Sequence, residues 1–308
     1  MDEQIRDRIL GCAVGAAVGD ALGMPLEFGP ARSANALVRD MQSGRIPAGR
    51  FTDDTEMALA LAESLLAHRP LDADDLAWRF MAWQQANPPD IGIHTRNVLS
   101  RIASGTSWRD AVQAVQGQNP DSAGNGSLMR CWPVAVACRH DLGRLLADSR
   151  LQSEVTHPHA ECVAACAWAN AAIYHLFHGC SRGEALAAAL DDAAAPESLR
   201  RVVDEAPRLP RSLLASSGWV RHTLQSAVWG LTTTHSFEEA VVQVVNLGND
   251  ADTAGAVVGA LAGAAYGFAA IPARWVQALR GEWPLGSGTV WRVDDLCALA
   301  LRLARIDA

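Results

Sequence analysis

The chain has 308 residues, of which 49% are hydrophobic and 19% charged, a composition typical of a globular protein large enough to bury a sizeable core. Its net charge of -8 argues against a protein that binds nucleic acid or an anionic membrane through a general electrostatic footprint. All 26 basic residues are arginine, which excludes Schiff-base catalysis by lysine and the lysine-dependent phosphate loop.

The N-terminal segment passes from charged residues into an apolar run. No apolar stretch precedes Cys12, so the pattern is not that of a cleaved secretory leader, and we expect a cytoplasmic protein. Asp20 interrupts the apolar run before it reaches the roughly 20 residues that a membrane-spanning helix needs. We therefore expect this segment to be a core helix.

Glycine recurs at every fourth position in two apolar segments that we predict to be helices. The positions are Gly11, Gly15, Gly19 and Gly23 in the first segment and Gly255, Gly259, Gly263 and Gly267 in the second. Each interior glycine costs about 1 kcal/mol relative to alanine, so the spacing needs a compensating gain, which a close crossing of two helix backbones would supply. We expect both helices to lie deep in the core and to bring Glu27 near the start of the second.

The stretch "FTDDTEMALALAESLL" (residues 51–66) begins a predicted helix with three carboxylates. Asp53 and Glu56 have the spacing of a capping box, and acids in a first turn suit the positive end of the helix dipole. The alternative is that Asp53 and Asp54 hold a bound ion. On the capping interpretation, replacing Glu56 costs only the roughly 1 kcal/mol of a helix cap.

Most of the remaining chain carries apolar residues at helical spacing, and alternating strand patterns are scarce. Ser181 with Glu184 and Ser236 with Glu239 have the spacing of two further capping boxes. The main stretches without a helical pattern are residues 29–50, 87–93, 119–127 and 207–217. None of them has the composition of a domain linker. We predict an all-α fold, a compact single-domain multi-helix bundle over residues 1–308 with ten or more helices.

A second acidic helix start occurs in "NLGNDADTAGA", which places Asp250, Asp252 and Thr253 before the second glycine-faced helix. One such start is a cap, whereas two indicate a shared site for a hard cation. Carboxylates and threonine hydroxyls are ligands that magnesium, manganese or calcium take, and no Cys or His is interleaved with them as zinc would prefer. Gathered in a cleft, such carboxylates repel one another unless a cation is present.

Five segments in one order along the chain carry a family resemblance. They are "GDALGMPLEF", "FTDDTEMALALAESL", "SAGNGSLMRCWPVAV", "THPHAECVAAC" and "NLGNDADTAGAVVGALAGAAYG". Together they resemble the ADP-ribosylglycohydrolase family, most closely its bacterial branch. The resemblance implies a compact all-α fold with a central dinuclear metal cleft holding two divalent cations, Mg²⁺ or Mn²⁺. It also implies hydrolysis of the glycosidic bond between ADP-ribose and an acceptor side chain.

The resemblance further implies which residues form the site. The implied metal ligands are Glu27, Thr52, Asp53, Asp54, Asp250, Asp252 and Thr253. The implied substrate-binding residues are Asp90, Gly92, Ser122, Gly124, Asn125, Gly126, Ser127 and His157. In the glycine-rich loop, backbone N–H groups would meet the diphosphate, and a helix beginning near Leu128 would add its dipole. An ordinary Gly/Asn turn is the alternative for this loop, and His159 is expected only to cap its helix.

Glu27, Asp54 and Asp90 are the expected catalytic residues. Asp90 matches an acidic residue of the arginine-directed branch and would hold the leaving guanidine, although an exposed loop aspartate is the alternative. Glu27, Asp53 or Asp54 would position the attacking water or accept its proton. The expected substrate is an ADP-ribosylated protein and the expected product is ADP-ribose, with no nucleic-acid or membrane partner and a monomeric state.

Three alternatives remain open. The chain could hydrolyse serine-linked or ester-linked ADP-ribose, although Asp90 favours a cationic acceptor. It could be a dinuclear-metal phosphoesterase, but such sites commonly include several histidines, and few of the 9 histidines here lie beside the acids. It could be a catalytically inactive ADP-ribose-binding protein, an interpretation that the intact ligand positions disfavour.

Overall fold

Helices form nearly all of the regular structure in the computed structural model of this chain, which describes residues 1–305. The fifteen α-helices of these residues are α1 (Glu3–Gly23), α2 (Asp53–Ala67), α3 (Ala73–Gln85), α4 (Ile93–Ala103), α5 (Trp108–Gln118), α6 (Trp132–Ala137), α7 (Leu142–Glu154), α8 (Ala160–Phe177), α9 (Arg182–Asp192), α10 (Glu197–Glu205), α11 (Val220–Thr233), α12 (Phe237–Val245), α13 (Ala251–Tyr266), α14 (Ala273–Ala278) and α15 (Val293–Ala304). Two short strands, β1 (Gly281–Glu282) and β2 (Val290–Trp291), pair antiparallel. The all-α prediction is confirmed, and a single hydrophobic cluster forms the core.

α1 and α13 cross with their backbones in contact, as the glycine spacing predicts. A Cβ atom on Gly19 would lie 1.9 Å from the carbonyl oxygen of Gly255, and one on Gly15 would lie 2.4 Å from that of Gly259. No side chain fits between the helices at these levels. The segment Glu3–Leu26 is long and apolar enough to cross a membrane, but 94% of its apolar window is buried inside the fold, which is what a core helix shows.

α2 begins differently from the predicted capping box. Its N-cap is Thr52, whose side chain makes no capping hydrogen bond, and Asp53 is already the first residue of the helix. Glu56 is fully buried and accepts a hydrogen bond at 2.9 Å from the indole N–H of Trp83 on α3. The predicted capping box is therefore wrong, because Glu56 turns inward to a partner on another helix instead of back to its own N-terminus.

Three other helix starts agree better with the sequence. α9 carries the complete capping box of Ser181 and Glu184. At α12, Ser236 accepts a hydrogen bond at 3.1 Å from the backbone N–H of Glu239, which is one half of the predicted box. His159 is the N-cap of α8, and its ring accepts from the Glu161 backbone N–H, as expected.

Candidate functional site

A cleft of about 440 Å³ opens where the end of α1, the start of α2 and the start of α13 meet. Both acidic helix starts line it, although Asp54 and Thr253 are 199 positions apart in sequence. The acidic lining consists of Glu27, Asp53, Asp54, Asp90, Asp250 and Asp252. The glycine crossing explains this convergence, because α1 ends beside the first turn of α13 and so delivers Glu27 to the same place.

Asp20 fixes the start of α2 from a different helix. Its carboxylate accepts hydrogen bonds from the backbone N–H and the hydroxyl of Thr52, at 2.9 and 2.8 Å, and from the same two groups of Thr55, at 3.2 and 2.6 Å. Burial raises the pKa of Asp20 to about 6. In the sequence, Asp20 indicates only an interruption of an apolar run, although a lone acid in a glycine-faced helix is the signal for this role.

Asp54 lies between two threonines at the base of the cleft. The hydroxyl of Thr52 is 3.3 Å from Asp54 Oδ2, and that of Thr253 is 3.4 Å from the same atom. Asp54 Oδ1 is buried and has no hydrogen-bond partner within the described residues. An orphaned, buried carboxylate oxygen is costly unless something compensates it, and a bound cation would do so.

Three carboxylates meet above this base. One oxygen from each of Glu27, Asp90 and Asp252 lies within 4.8 Å of the other two. The guanidinium of Arg45 contacts Glu27, donates to Asp90 at 2.7 Å and lies 3.9 Å from Asp252. Arg45 belongs to the helix-free stretch 29–50, in which no sequence motif predicts a function, and it neutralises part of the acidic cluster in this structure.

The acids of the cleft raise one another's pKa. Burial and then the charge of Asp90 hold the pKa of Asp53 well above its usual range. Burial and then the charge of Asp250 also raise the pKa of Asp252 well above its usual range. Burial and then the charge of Asp20 raise the pKa of Asp54 in the same way. This mutual repulsion and the oxygen-only donor set fit a hard divalent cation such as magnesium, manganese or calcium.

The glycine-rich loop is tied to the acidic cluster by Asn125. The Asn125 side-chain amide donates to Asp250 Oδ2 and to the hydroxyl of Thr223, both at 2.7 Å. Its backbone N–H donates to the carbonyl of Gly218 at 3.0 Å. Asn125 therefore holds the loop, the start of α13 and the start of α11 in one arrangement.

His157 packs directly behind this loop. A Cβ atom on Gly126 would lie 2.8 Å from His157 Cε1. The loop can therefore pack this closely against the imidazole ring only with glycine at position 126. Burial, followed by the neighbouring His94, holds the pKa of His157 well below its usual value. Gly92, Gly124, Asn125, Gly126 and His157 all line the cleft.

The loop continues differently from the prediction after Gly126. The backbone N–H of Leu128 donates to the carbonyl of Asn125 and that of Cys131 to the carbonyl of Leu128, so the chain forms successive four-residue turns. The helix expected near Leu128 is therefore wrong, since α6 begins only at Trp132.

Three predicted site residues lie behind the cleft surface. Ser127 is fully buried, and its hydroxyl is hydrogen-bonded to that of Ser153 at 2.8 Å. Ser122 accepts through its carbonyl from the side chain of Gln116 at 3.1 Å, and Thr52 faces Asp20. The structure gives these three residues a supporting position and places the glycines, Asn125 and the acids at the surface that a ligand would meet.

Comparison with known proteins agrees with this arrangement. Residues 1–307 match the family model described as ADP-ribosylglycohydrolase. A solved structure titled "ADP-ribosylglycohydrolase-related protein complex" superimposes with a TM-score of 0.82 and 36% sequence identity, covering 100% of both chains.

Curated relatives carry related names. "ADP-ribosylarginine hydrolase Tri1" of Pseudomonas putida is 35% identical over 286 residues, which cover 89% of this chain and 75% of that protein. "ADP-ribosyl-[dinitrogen reductase] glycohydrolase" of Rhodospirillum rubrum is 35% identical over 303 residues, 96% of this chain and 97% of that protein. "ADP-ribosylhydrolase ARH3" of Homo sapiens is 26% identical over 327 residues and covers 89% of each chain.

Proposed function

The chain belongs to the ADP-ribosylglycohydrolase family, and on this premise we propose that it removes ADP-ribose from modified arginine side chains by hydrolysing the N-glycosidic bond. The observation that carries the proposal is the guanidinium of Arg45, which contacts Glu27 and donates to Asp90 inside the cleft. The acidic cluster thus accommodates the chemical group that an acceptor arginine presents. The name of one relative at 35% identity, ADP-ribosylarginine hydrolase Tri1, contains the same acceptor.

The proposed enzyme uses divalent cations, two Mg²⁺ or Mn²⁺ ions. The ligands proposed for them are Glu27, Asp53, Asp54, Asp250, Asp252 and Thr253, with Thr52 supporting Asp54 from behind the cleft surface. The orphaned oxygen of Asp54 and the repulsion among the buried acids support this assignment. When bound, such cations supply Lewis acidity toward water and ribose hydroxyls and neutralise the carboxylates.

Side chains and backbone groups of the cleft would carry out bond cleavage and substrate binding. Cleavage of an N-glycoside develops positive charge at the anomeric carbon, which the surrounding carboxylates stabilise. Asp90 holds the departing guanidine, and Glu27 or Asp54 positions the attacking water or accepts its proton. The backbone N–H of Gly126 has no hydrogen-bond partner within residues 1–305, so it is available to a diphosphate oxygen.

A specific observation also favours a second function. The "ADP-ribosylhydrolase ARH3" sequences of Bos taurus and Homo sapiens match 89% of this chain at 26% identity, and their names specify no arginine acceptor; hydrolysis of O-linked ADP-ribose is the second candidate. In that reaction Asp90 would face a neutral hydroxyl and gain no charge pairing.

One assay separates the two candidates. Release of ADP-ribose is measured from arginine-modified and serine-modified proteins, with Mg²⁺, with Mn²⁺ and after treatment with a chelator. We expect cation-dependent release from the arginine conjugate at a rate well above that from the serine conjugate. Faster release from the serine conjugate would assign the O-linked activity, and no release from either conjugate, with ADP-ribose still bound, would identify a binding protein.

A further inference from the structure

Phe28, the residue after Glu27, is held in an unusual conformation at the mouth of the cleft. Its φ is 61°, a value that bulky residues rarely adopt because it strains the backbone. Its backbone N–H donates to the carbonyl of Asn249 at 2.7 Å, and the N–H of Asn249, which itself has a φ of 55°, donates to the carbonyl of Gly29 at 2.8 Å. This reciprocal pair of hydrogen bonds fixes the backbone of Phe28.

The fixed backbone presents an aromatic side chain to solvent. Phe28 is 74% exposed although it lines the cleft; Ile93 in the same lining is 78% exposed, whereas Ile91 and Met129 are buried. Packing in the core therefore does not explain why a phenyl ring is held in this strained position. A strained, exposed aromatic residue beside a site suggests a role toward a ligand.

The ring faces the acidic cluster. The guanidinium carbon of Arg45 lies 5.3 Å from the centroid of the Phe28 ring while the same guanidinium contacts Glu27 and Asp90. A guanidinium in this position is thus paired with two carboxylates on its edge and meets an aromatic ring as well. Cations and aromatic rings attract each other at such distances.

We propose that Phe28 is a specificity-determining residue of this cleft, and that its ring packs against the guanidinium of an ADP-ribosylated arginine. The inference rests on the proposed function and adds a third wall to the acceptor site beside Glu27 and Asp90. The guanidinium of Arg45 shows where the acceptor guanidinium would bind. When a substrate binds, the end of the Arg45 side chain swings away and the acceptor guanidinium takes its place. A serine acceptor brings no cation and gains nothing from the ring.

The test compares two variants of the full chain, assayed with Mn²⁺ on an arginine-modified protein. Phe28→Leu keeps an apolar side chain but removes the aromatic face, whereas Phe28→Tyr keeps the face; both face the same backbone constraint. We expect Phe28→Leu to raise KM about 2- to 5-fold, the factor that corresponds to a contact of about 0.5–1 kcal/mol at an exposed site. We expect Phe28→Tyr to keep KM within about 2-fold of the wild-type value, with kcat little changed in both.

Binding of free ADP-ribose, measured by calorimetry, is the control for an intact cleft, because ADP-ribose carries no guanidinium. Equal KM values for the two variants, or weaker ADP-ribose binding that parallels the rise in KM, would overturn the role of the ring. These results differ from failure of the proposed function, in which the wild-type chain itself releases no ADP-ribose from arginine conjugates. That last result would overturn both.

Discussion

The carboxylate of Asp20 on α1 accepts hydrogen bonds from both the backbone N–H and the hydroxyl of Thr52, the N-cap of α2. Two helices are thereby joined at the point from which Asp53 and Asp54 enter the cleft. A helix start is usually satisfied by a side chain of its own segment, whereas here the acceptor comes from 32 residues earlier in the chain.

Replacing Asp20 by alanine is expected to destabilise the fold strongly. The substitution leaves the N–H and hydroxyl groups of Thr52 and Thr55 without their buried acceptor, which costs about 3 kcal/mol. Denaturant unfolding measures the loss. Asp2→Ala is the matched control, because Asp2 caps the exposed start of α1 through a single bond of 3.3 Å and its removal costs about 1 kcal/mol or less. Similar losses in the two variants would contradict the role given to Asp20.

The helix crossing gives a second prediction. Gly19→Ala places a Cβ atom 1.9 Å from the carbonyl oxygen of Gly255, and because the obstacle is backbone, the helices must move apart. We expect the free energy of unfolding to fall by about 3 kcal/mol, at the upper end of the cost of overpacking. We also expect weaker Mn²⁺ binding, because Glu27 and Asp252 would move apart. Thermal unfolding and calorimetry measure the two effects.

Gly117→Ala is the control for this experiment. A Cβ atom on Gly117, in α5, meets nothing within 4 Å, so alanine there is expected to stabilise the fold by up to about 1 kcal/mol through helix propensity. A well-tolerated Gly19→Ala variant with unchanged Mn²⁺ affinity would show that the crossing does not set the geometry of the site.

Removal of one acid from the cleft is expected to separate stability from cation binding. Asp252→Asn removes a buried charge that Asp250 repels, so the variant is expected to unfold at a higher temperature than the wild type in the presence of a chelator. Its Mn²⁺ affinity is expected to fall at least about 10- to 100-fold. Asp204→Asn, on the exposed side of α10, is the control for both measurements. Unchanged Mn²⁺ affinity in Asp252→Asn would remove this residue from the set of ligands.

His157 is expected to contribute to loss of stability in acid. Because burial holds its pKa in the folded state well below the usual 6.5, the unfolded chain takes up the proton first, and stability is lost as the pH falls below that value. His157→Gln is therefore expected to lose less stability than the wild type between about pH 7 and about pH 5. Urea unfolding at each pH measures this. The exposed His235 provides the control, since His235→Gln is expected to keep the wild-type profile; the same profile in His157→Gln would contradict the prediction.

The sequence predicts the main architecture because local pattern and tertiary packing agree there. Glycine at every fourth position in α1 and α13 has one good explanation, a close helix crossing, and that crossing brings Glu27 to Asp252. The acidic starts of α2 and α13 could be recognised as one site because their composition repeats.

Other features depend on partners that no local pattern specifies. Asp53 and Glu56 have the spacing of a capping box whether or not they form one, and only Trp83 on α3 decides that Glu56 turns inward. Arg45 lies in a stretch without periodicity, so its place among the acids is fixed by tertiary structure alone. The predicted helix near Leu128 failed because short turns and a helix start share the same composition.

Contact between the backbones of α1 and α13 also constrains how the site can respond to a ligand. Peptide groups pressed together at Gly15 and Gly19 have no rotamers to exchange, so neither helix can slide without breaking the contact. The acids carried on the first turn of α13 therefore keep their spacing to the end of α1 whatever enters the cleft. The crossing therefore makes the floor of this site rigid, whereas Arg45, whose side chain is 38% exposed, meets the acids from residues 29–50 outside that floor.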